Sequence, residues 1–127
     1  MIDLHTHSIF SDGELVPSEL AQRARAAGYT TIAITDHADH SNIDFIIPRI
    51  IRVCEIITAK GNIQVLPGLE LTHVDPADIA PLVSEARKLG AQILIVHGET
   101  LTEPVPSGTN LAAIQAGADI LAHPGLI

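Results

Sequence analysis

The chain has 127 residues, enough for one domain with its own core but fewer than a complete (β/α) barrel normally uses. Its formal net charge of −8, from 7 Lys+Arg and 15 Asp+Glu, argues against nucleic-acid phosphate or an anionic membrane surface as a passive electrostatic partner. The same acidity suits the binding of cations. The 7 histidines, as many as the lysines and arginines together, are the most informative feature of the composition.

Hydropathy and cysteine content favour a cytoplasmic protein. The mean hydropathy of +0.32 fits an α/β interior, in which parallel strands are covered on both faces. No apolar run approaches the roughly 20 residues of a membrane span, and the N-terminus lacks the basic segment of a signal peptide. The single Cys54 excludes an internal disulfide and fits a reducing compartment.

Five strand-like segments alternate with four helix-like segments. The strand-like segments are 1–7, 30–37, 63–70, 92–97 and 119–124, and the helix-like segments are 17–27, 46–60, 77–89 and 110–116. A glycine follows each helix-like segment, where a left-handed residue would end a helix: Gly28, Gly61, Gly90 and Gly117. The alternation predicts an α/β fold of about five parallel strands. Five strands do not close a barrel, so the chain is either a small open sheet or the front portion of a larger barrel.

Each strand-like segment ends in side chains that can bind a metal ion. They are His5 and His7, Asp36 and His37, Glu70, His97, and His123. The carboxyl ends of parallel strands are where α/β barrels place their active sites. Residues 5 and 7 of one strand point to the same side, so both imidazoles can face one ion. This convergence predicts a metal site and favours the larger barrel.

Each of these residues also has an ordinary structural interpretation when it is taken alone. A single histidine at a strand end is usually a hydrogen-bonded structural group, and Glu70 could be an exposed cap. Asp12 with the following glycine could be a simple turn, and Asp36 could orient His37 or cap a loop. The metal site is preferred because these separate explanations would require imidazoles and carboxylates to converge without a common cause.

Other polar residues lie near the predicted site. His40 and His73 follow two strand ends by a few residues and could be ligands, supports for ligands or loop residues, of which the last two are favoured. Asp36 and Glu99 are candidate carboxylates that support the ligands from outside. Cys54 lies among isoleucines and valines of the second helix and is expected in the core.

The segments HTHSIFSDG, ITDH, PGLE, IVHGE and LAHPG, in this order, resemble the PHP (polymerase and histidinol phosphatase) domain family. The resemblance extends over residues 1–127 as one PHP domain and is nearest to the stand-alone, histidinol-phosphatase-like branch. It implies a partial (β/α)7 TIM-like barrel whose last strands are absent. It also implies two or three divalent metal ions (Zn, Mn or Fe) and the hydrolysis of phosphoesters.

The resemblance also implies a set of metal ligands, namely His5, His7, Asp12, His37, Glu70, His97 and His123. His5 and His7 would bind one ion. Glu70 would bridge that ion to another, which His97 and His123 would hold. Asp12 and His37 would serve a third position. Two further ligands of the family, an Asp and a His from late strands, have no counterpart in this chain, so the first and third positions are each one ligand short.

We therefore predict a metal-dependent phosphoesterase that activates water at a multinuclear His/carboxylate site and acts on a small phosphorylated substrate. Imidazoles with a bridging carboxylate suit Zn, Mn or Fe better than Mg. One feature opposes a phosphorylated substrate, because the predicted loops 8–16, 38–45, 71–76 and 98–109 contain no Lys or Arg. Two alternatives stay open: a catalytically impaired metal-binding or structural PHP fragment, and a metal-dependent amidohydrolase-like enzyme acting on a less charged substrate.

The sequence also makes predictions about partners. The apolar segment DILAHPGLI would leave an open strand edge with unpaired backbone groups, which predicts a homo-oligomer. No membrane or nucleic-acid partner is expected.

Overall fold

The computed structural model describes residues 1–126, in which helices alternate with parallel strands. The strands are β1 (Ile2–Thr6), β2 (Thr31–Ile34), β3 (His37–Ala38), β4 (Gln64–Leu71), β5 (Ile93–His97) and β6 (Ile120–Ala122). The helices are α1 (Pro17–Ala26), α2 (Ile43–Ala59), α3 (Pro76–Leu89) and α4 (Thr109–Ala116).

The sheet has the order β1-β2-β4-β5-β6, with every pair parallel, and the two-residue β3 also pairs with β4. Each crossover carries a helix, as parallel neighbours require. The prediction of a partial barrel with about five parallel strands is therefore confirmed. All the carboxyl ends of the strands lie along one rim of this half-barrel, which is where the candidate residues were expected.

The predicted strand 30–37 is divided into β2 and β3 at Thr35 and Asp36. Backbone hydrogen bonds nevertheless continue through the division. The Thr35 N–H donates to the Thr6 carbonyl at 2.7 Å, and the Glu70 N–H donates to the Asp36 carbonyl at 2.9 Å. The segment thus stays between β1 and β4 and delivers His37 to the rim.

The core lies between the sheet and its helices in two apolar clusters. One cluster packs β2 against α1 and α2 and includes Ile32, Ile34 and Ile50, and the other packs β4 and β5 against α2, α3 and α4. Cys54 is 1% exposed within the first cluster, which confirms its expected place in the core. No helix among residues 1–126 has the length and apolar character needed to cross a membrane.

The ends of the helices were predicted more accurately than their starts. Gly28, Gly61, Gly90 and Gly117 all have positive φ angles, between 75° and 109°. Helix α2, however, begins at Ile43 rather than at residue 46, because its buried stripe starts there and continues through Ile46, Ile47 and Ile50. Pro48 lies inside the helix on its exposed side, where water can bond the carbonyl that lacks an N–H partner.

Candidate metal centre

Glu70 is the centre of the rim. It is the second-last residue of β4, the middle strand, and its register partners are His37 on β3 and Ile95 on β5. The side chain is 1% exposed. Burying a carboxylate this completely costs free energy unless its charge is compensated, so the groups around it indicate how the charge is balanced.

The recorded partners of the Glu70 carboxylate in the described chain are imidazole nitrogens, arranged around both oxygens. Oε1 lies 2.8 Å from His5 Nε2, 3.2 Å from His7 Nε2 and 3.6 Å from His37 Nδ1. Oε2 lies 3.2 Å from His97 Nδ1. One oxygen of the carboxylate therefore faces three histidines and the other faces His97, an arrangement that suits a bridging ligand.

A local irregularity of the backbone lies near His5, in β1, and His7, directly after β1. The pairing of β1 with β2 shifts register between Asp3 and Thr6, as at a β-bulge. The Asp3 carboxylate accepts the His5 N–H at 3.0 Å. His5 and the residue two further on, His7, both reach Oε1 of Glu70, as their spacing predicted.

A second arm of the site comes from the loop after β1. Asp12 Oδ2 lies 3.3 Å from His37 Nε2, and the His7 and His37 rings stack with centroids 4.4 Å apart. The Nδ1 of His37 is 2.5 Å from the Thr72 hydroxyl, which leaves Nε2 facing Asp12. Asp12 is 66% exposed, so this arm forms the open mouth of the site.

Three groups of potential ligands result, each with its donor atoms within 4.8 Å of one another: His5, His7 and Glu70; His7, Asp12 and His37; and Glu70, His97 and His123. These are the seven residues that the family resemblance implied, and His7 belongs to two of the groups rather than to one. The structure holds them near one another, and their role as metal ligands stays a prediction.

One further observation supports the binding of a divalent cation by these side chains. Nδ1 of His7 is buried and has no hydrogen-bond partner among the described residues, and the Asp12 carboxylate is 3.8 Å from it. A buried imidazole nitrogen is rarely left without a partner, and a cation between these groups would supply one. Donor atoms bonded at about 2.1 Å to a common ion lie about 3.0–3.4 Å apart, close to the separations around Glu70.

The Glu70 carboxylate and the histidines around it favour each other's charged forms. Burial alone would raise the pKa of Glu70, but hydrogen bonds from His5 and His7 and the charges of His5 and His37 outweigh it and hold the pKa well below its usual range. Burial would likewise lower the pKa of His7, but the hydrogen bond and charge of Glu70 raise it overall. Glu70 is thus an ionised carboxylate in a pocket that favours positive charge.

A fourth group contains a residue that the sequence analysis missed. His73, His97 and Glu103 also bring their donor atoms within 4.8 Å of one another. Glu103 lies in the loop after β5, six residues beyond His97, and no periodic signal marks such a position. Burial alone would raise its pKa, but the charges and hydrogen bonds of His97 and His73 together hold the pKa below the usual range.

The remaining candidates support loops around the cluster. Buried Asp36 accepts hydrogen bonds from the Ser8 and Ser11 side chains. His40 pairs with Asp78 at 3.2 Å, away from Glu70. The Glu99 carboxylate accepts backbone N–H groups at the start of α4, from Gly108 at 3.3 Å and Asn110 at 2.9 Å.

Comparison with known proteins places this site in a family. The chain is 50% identical over 127 residues to an uncharacterized protein of Methanocaldococcus jannaschii, a match that covers 98% of this chain and 58% of that protein. It is 29% identical over 123 residues to ribonuclease P protein component 3 of Methanosarcina barkeri (96% of this chain, 44% of that protein). It is 37% identical over 70 residues to a 5'-3' exoribonuclease of Haemophilus influenzae (55% of this chain, 23% of that protein).

The chain thus spans about half the length of the first two relatives. No solved structure matches it significantly. The family described as PHP domain matches residues 3–116, which include every residue of the cluster except His123. The chain belongs to the PHP domain family.

Proposed function

We propose that this protein is a metal-dependent phosphoesterase that acts on a small phosphorylated substrate. The observation that carries the proposal is the buried Glu70 carboxylate, which faces His5 and His7 with one oxygen and His97 with the other. A carboxylate shared in this way can hold two cations side by side. The names of the ribonuclease relatives support phosphoester chemistry in the family.

Different residues of the chain would have different roles in this reaction. His5, His7 and Glu70 would hold one divalent ion, and Glu70, His97 and His123 another. Such ions, when bound, supply Lewis-acid activation of water and of a phosphoryl oxygen. Asp12 and His37 lie at the open mouth, where they can complete the site beside the incoming substrate.

The distribution of basic residues limits the class of substrate that the site can accept. The seven Lys and Arg residues lie within helices α1, α2 and α3 or directly after α2: Arg23, Arg25, Arg49, Arg52, Lys60, Arg87 and Lys88. None lies in the loops at the carboxyl ends of the strands. The Ser8 and Ser11 hydroxyls are already donated to Asp36. Negative charge on a substrate must therefore be met mainly by the bound ions, which favours a compact phosphoester that reaches them directly.

The proposal is tested by turnover with added Mn²⁺ or Zn²⁺ on three chromogenic substrates: p-nitrophenyl phosphate, bis(p-nitrophenyl) phosphate and p-nitroacetanilide. We expect hydrolysis of a phosphoester that chelation abolishes. Glu70→Gln keeps the side-chain size but removes the shared charge, so turnover should fall by about a hundredfold or more, and bound metal should fall as well. The matched control is Glu55→Gln, on the exposed face of α2, which should leave turnover unchanged.

Two contrary outcomes would each indicate one of the alternatives, and a third would exclude this site. Hydrolysis of the anilide alone would replace the proposal with an amidohydrolase-like activity. Two bound ions per chain without any turnover would indicate a metal-binding or structural PHP domain. Phosphoester hydrolysis that survives both chelation and Glu70→Gln would exclude this site as its source.

A further inference from the structure

We propose that Glu103 is a positioning residue, which fixes the His97 imidazole so that its Nδ1 is presented to a metal ion at Glu70. The inference rests on the proposed metal centre, and it assigns a function to a loop residue that lies outside the ligand set. Glu103 would act only through His97.

The His97 ring lies between two carboxylates. Its Nδ1 is 3.2 Å from Glu70 Oε2, and its Nε2 is 3.0 Å from Glu103 Oε2. The ring is 6% exposed, so water competes little with these two contacts for the ring nitrogens. An imidazole that donates its Nε2–H to a carboxylate keeps the Nδ1 lone pair free for a metal. Glu103 therefore selects both the ring orientation and the tautomer needed on the Glu70 side.

His73 holds Glu103 in place. Its Nε2 lies 3.3 Å from the second oxygen, Oε1 of Glu103, and its ring stacks on that of His97 with centroids 5.5 Å apart and planes 24° apart. His73 has φ 57°, a left-handed conformation that costs a non-glycine residue free energy. Strained residues persist where their surroundings hold them, and here the strain places an imidazole against Glu103.

The same three side chains could instead bind an ion of their own. That arrangement would give His97 metal ions on both nitrogens and would require the ring to lose both protons. A hydrogen bond from His97 to Glu103 needs no such loss, so the positioning role is the simpler reading of the geometry. The number of bound ions separates the two possibilities.

The test is a titration of the metal-free protein with Co²⁺ against a competing chelator, followed by visible absorption, on the unaltered chain and on Glu103→Gln. We expect about tenfold weaker Co²⁺ binding in the variant, with an unchanged number of ions per chain and an altered cobalt spectrum. Asp78→Asn is the matched control. Asp78 forms the exposed pair with His40, and its side chain is as exposed as that of Glu103, 46% in both cases.

A second measurement reads the imidazole directly. In a long-range ¹H–¹⁵N spectrum of the zinc-loaded protein, His97 should show a protonated Nε2 and a metal-bound Nδ1. The proposal is overturned if Nδ1 carries the proton, if Glu103→Gln binds Co²⁺ like the unaltered chain, or if the variant loses one whole ion per chain. These measurements need no substrate. If the Co²⁺ results are as expected but no phosphoester is hydrolysed, only the proposed function is contradicted. Normal turnover with unchanged Co²⁺ binding would contradict only the role of Glu103.

Discussion

Asp36 shows how a single buried side chain supports the site without belonging to it. Its carboxylate is fully buried and accepts the Ser8 N–H at 2.7 Å, the Ser8 hydroxyl at 2.7 Å and the Ser11 hydroxyl at 2.6 Å. All three donors belong to the loop that carries Asp12. Asp36, between β2 and β3, therefore holds in place the loop that carries Asp12 at the open side of the candidate metal centre.

The substitution Asp36→Asn should destabilise both the fold and this loop. The amide retains one oxygen but places an N–H₂ donor against other donors, so we expect a loss of about 2 kcal/mol in the free energy of unfolding. Urea denaturation measures it. Ser11→Ala, which removes one of the three donors, should cost about 1 kcal/mol. If Asp36→Asn unfolded at the same urea concentration as the unaltered chain, the hydrogen bonds would not carry the stability assigned to them.

At the residue scale, the sequence identified the seven residues of the cluster and the supporting Asp36, but not Glu103 or Thr72. The seven implied ligands follow strands or short motifs, and strand ends are recognisable from hydropathy alone. Glu103 and Thr72 contact histidines of the cluster, yet they look like ordinary loop residues in the sequence. Their contribution depends on loop conformation, which no local pattern encodes.

Helix ends provide the clearest test at the scale of the elements. Gly90 and Gly117 both end helices with left-handed backbone, at φ 109° and φ 75°. They differ in their surroundings: a Cβ on Gly90 would lie 2.8 Å from Ile51 Cδ1, and a Cβ on Gly117 would have nothing within 4 Å. The pair separates the cost of the conformation from the cost of crowding.

We expect Gly117→Ala to lower the free energy of unfolding by about 1 kcal/mol, which is the conformational cost alone. Gly90→Ala should lower it by slightly more, about 1.5 kcal/mol, since the methyl group also has to displace the flexible end of the Ile51 side chain. Urea denaturation of the two variants side by side measures the difference. Equal losses would show that Ile51 yields without cost.

The same elements show where local sequence patterns are insufficient. The glycines were read correctly because a left-handed helix end has a specific chemical requirement. The start of α2 was misplaced because the helix-like segment was begun at residue 46, although the buried stripe of the helix begins at Ile43. The division of the second strand at Thr35 and Asp36 could not be anticipated either, since no glycine, proline or other local signal marks it.

At the scale of the whole molecule, charge is segregated between the site and the rest of the surface. The rim carries carboxylates and histidines, and every Lys and Arg lies on or beside a helix. Under the proposed function, a substrate would therefore meet a rim whose positive charge comes from histidines and bound ions rather than from Lys or Arg. The alternation of strands and helices predicted this layout, because it fixed which loops share the rim.

The open edge of β6 leads to the last prediction. Among residues 1–126, β6 pairs only with β5, so the groups on its other side have no strand partner. Such an edge invites pairing with a second copy. We expect light scattering to give a mass above the 13.4 kDa of one chain, and Ile120→Lys to shift it toward the monomer by placing a charge on the edge. Leu111→Lys, on the exposed face of α4 next to β6, makes the same change away from the edge and should leave the mass unaltered. A monomer at every concentration would show that the edge is protected by its shortness and twist rather than by a partner.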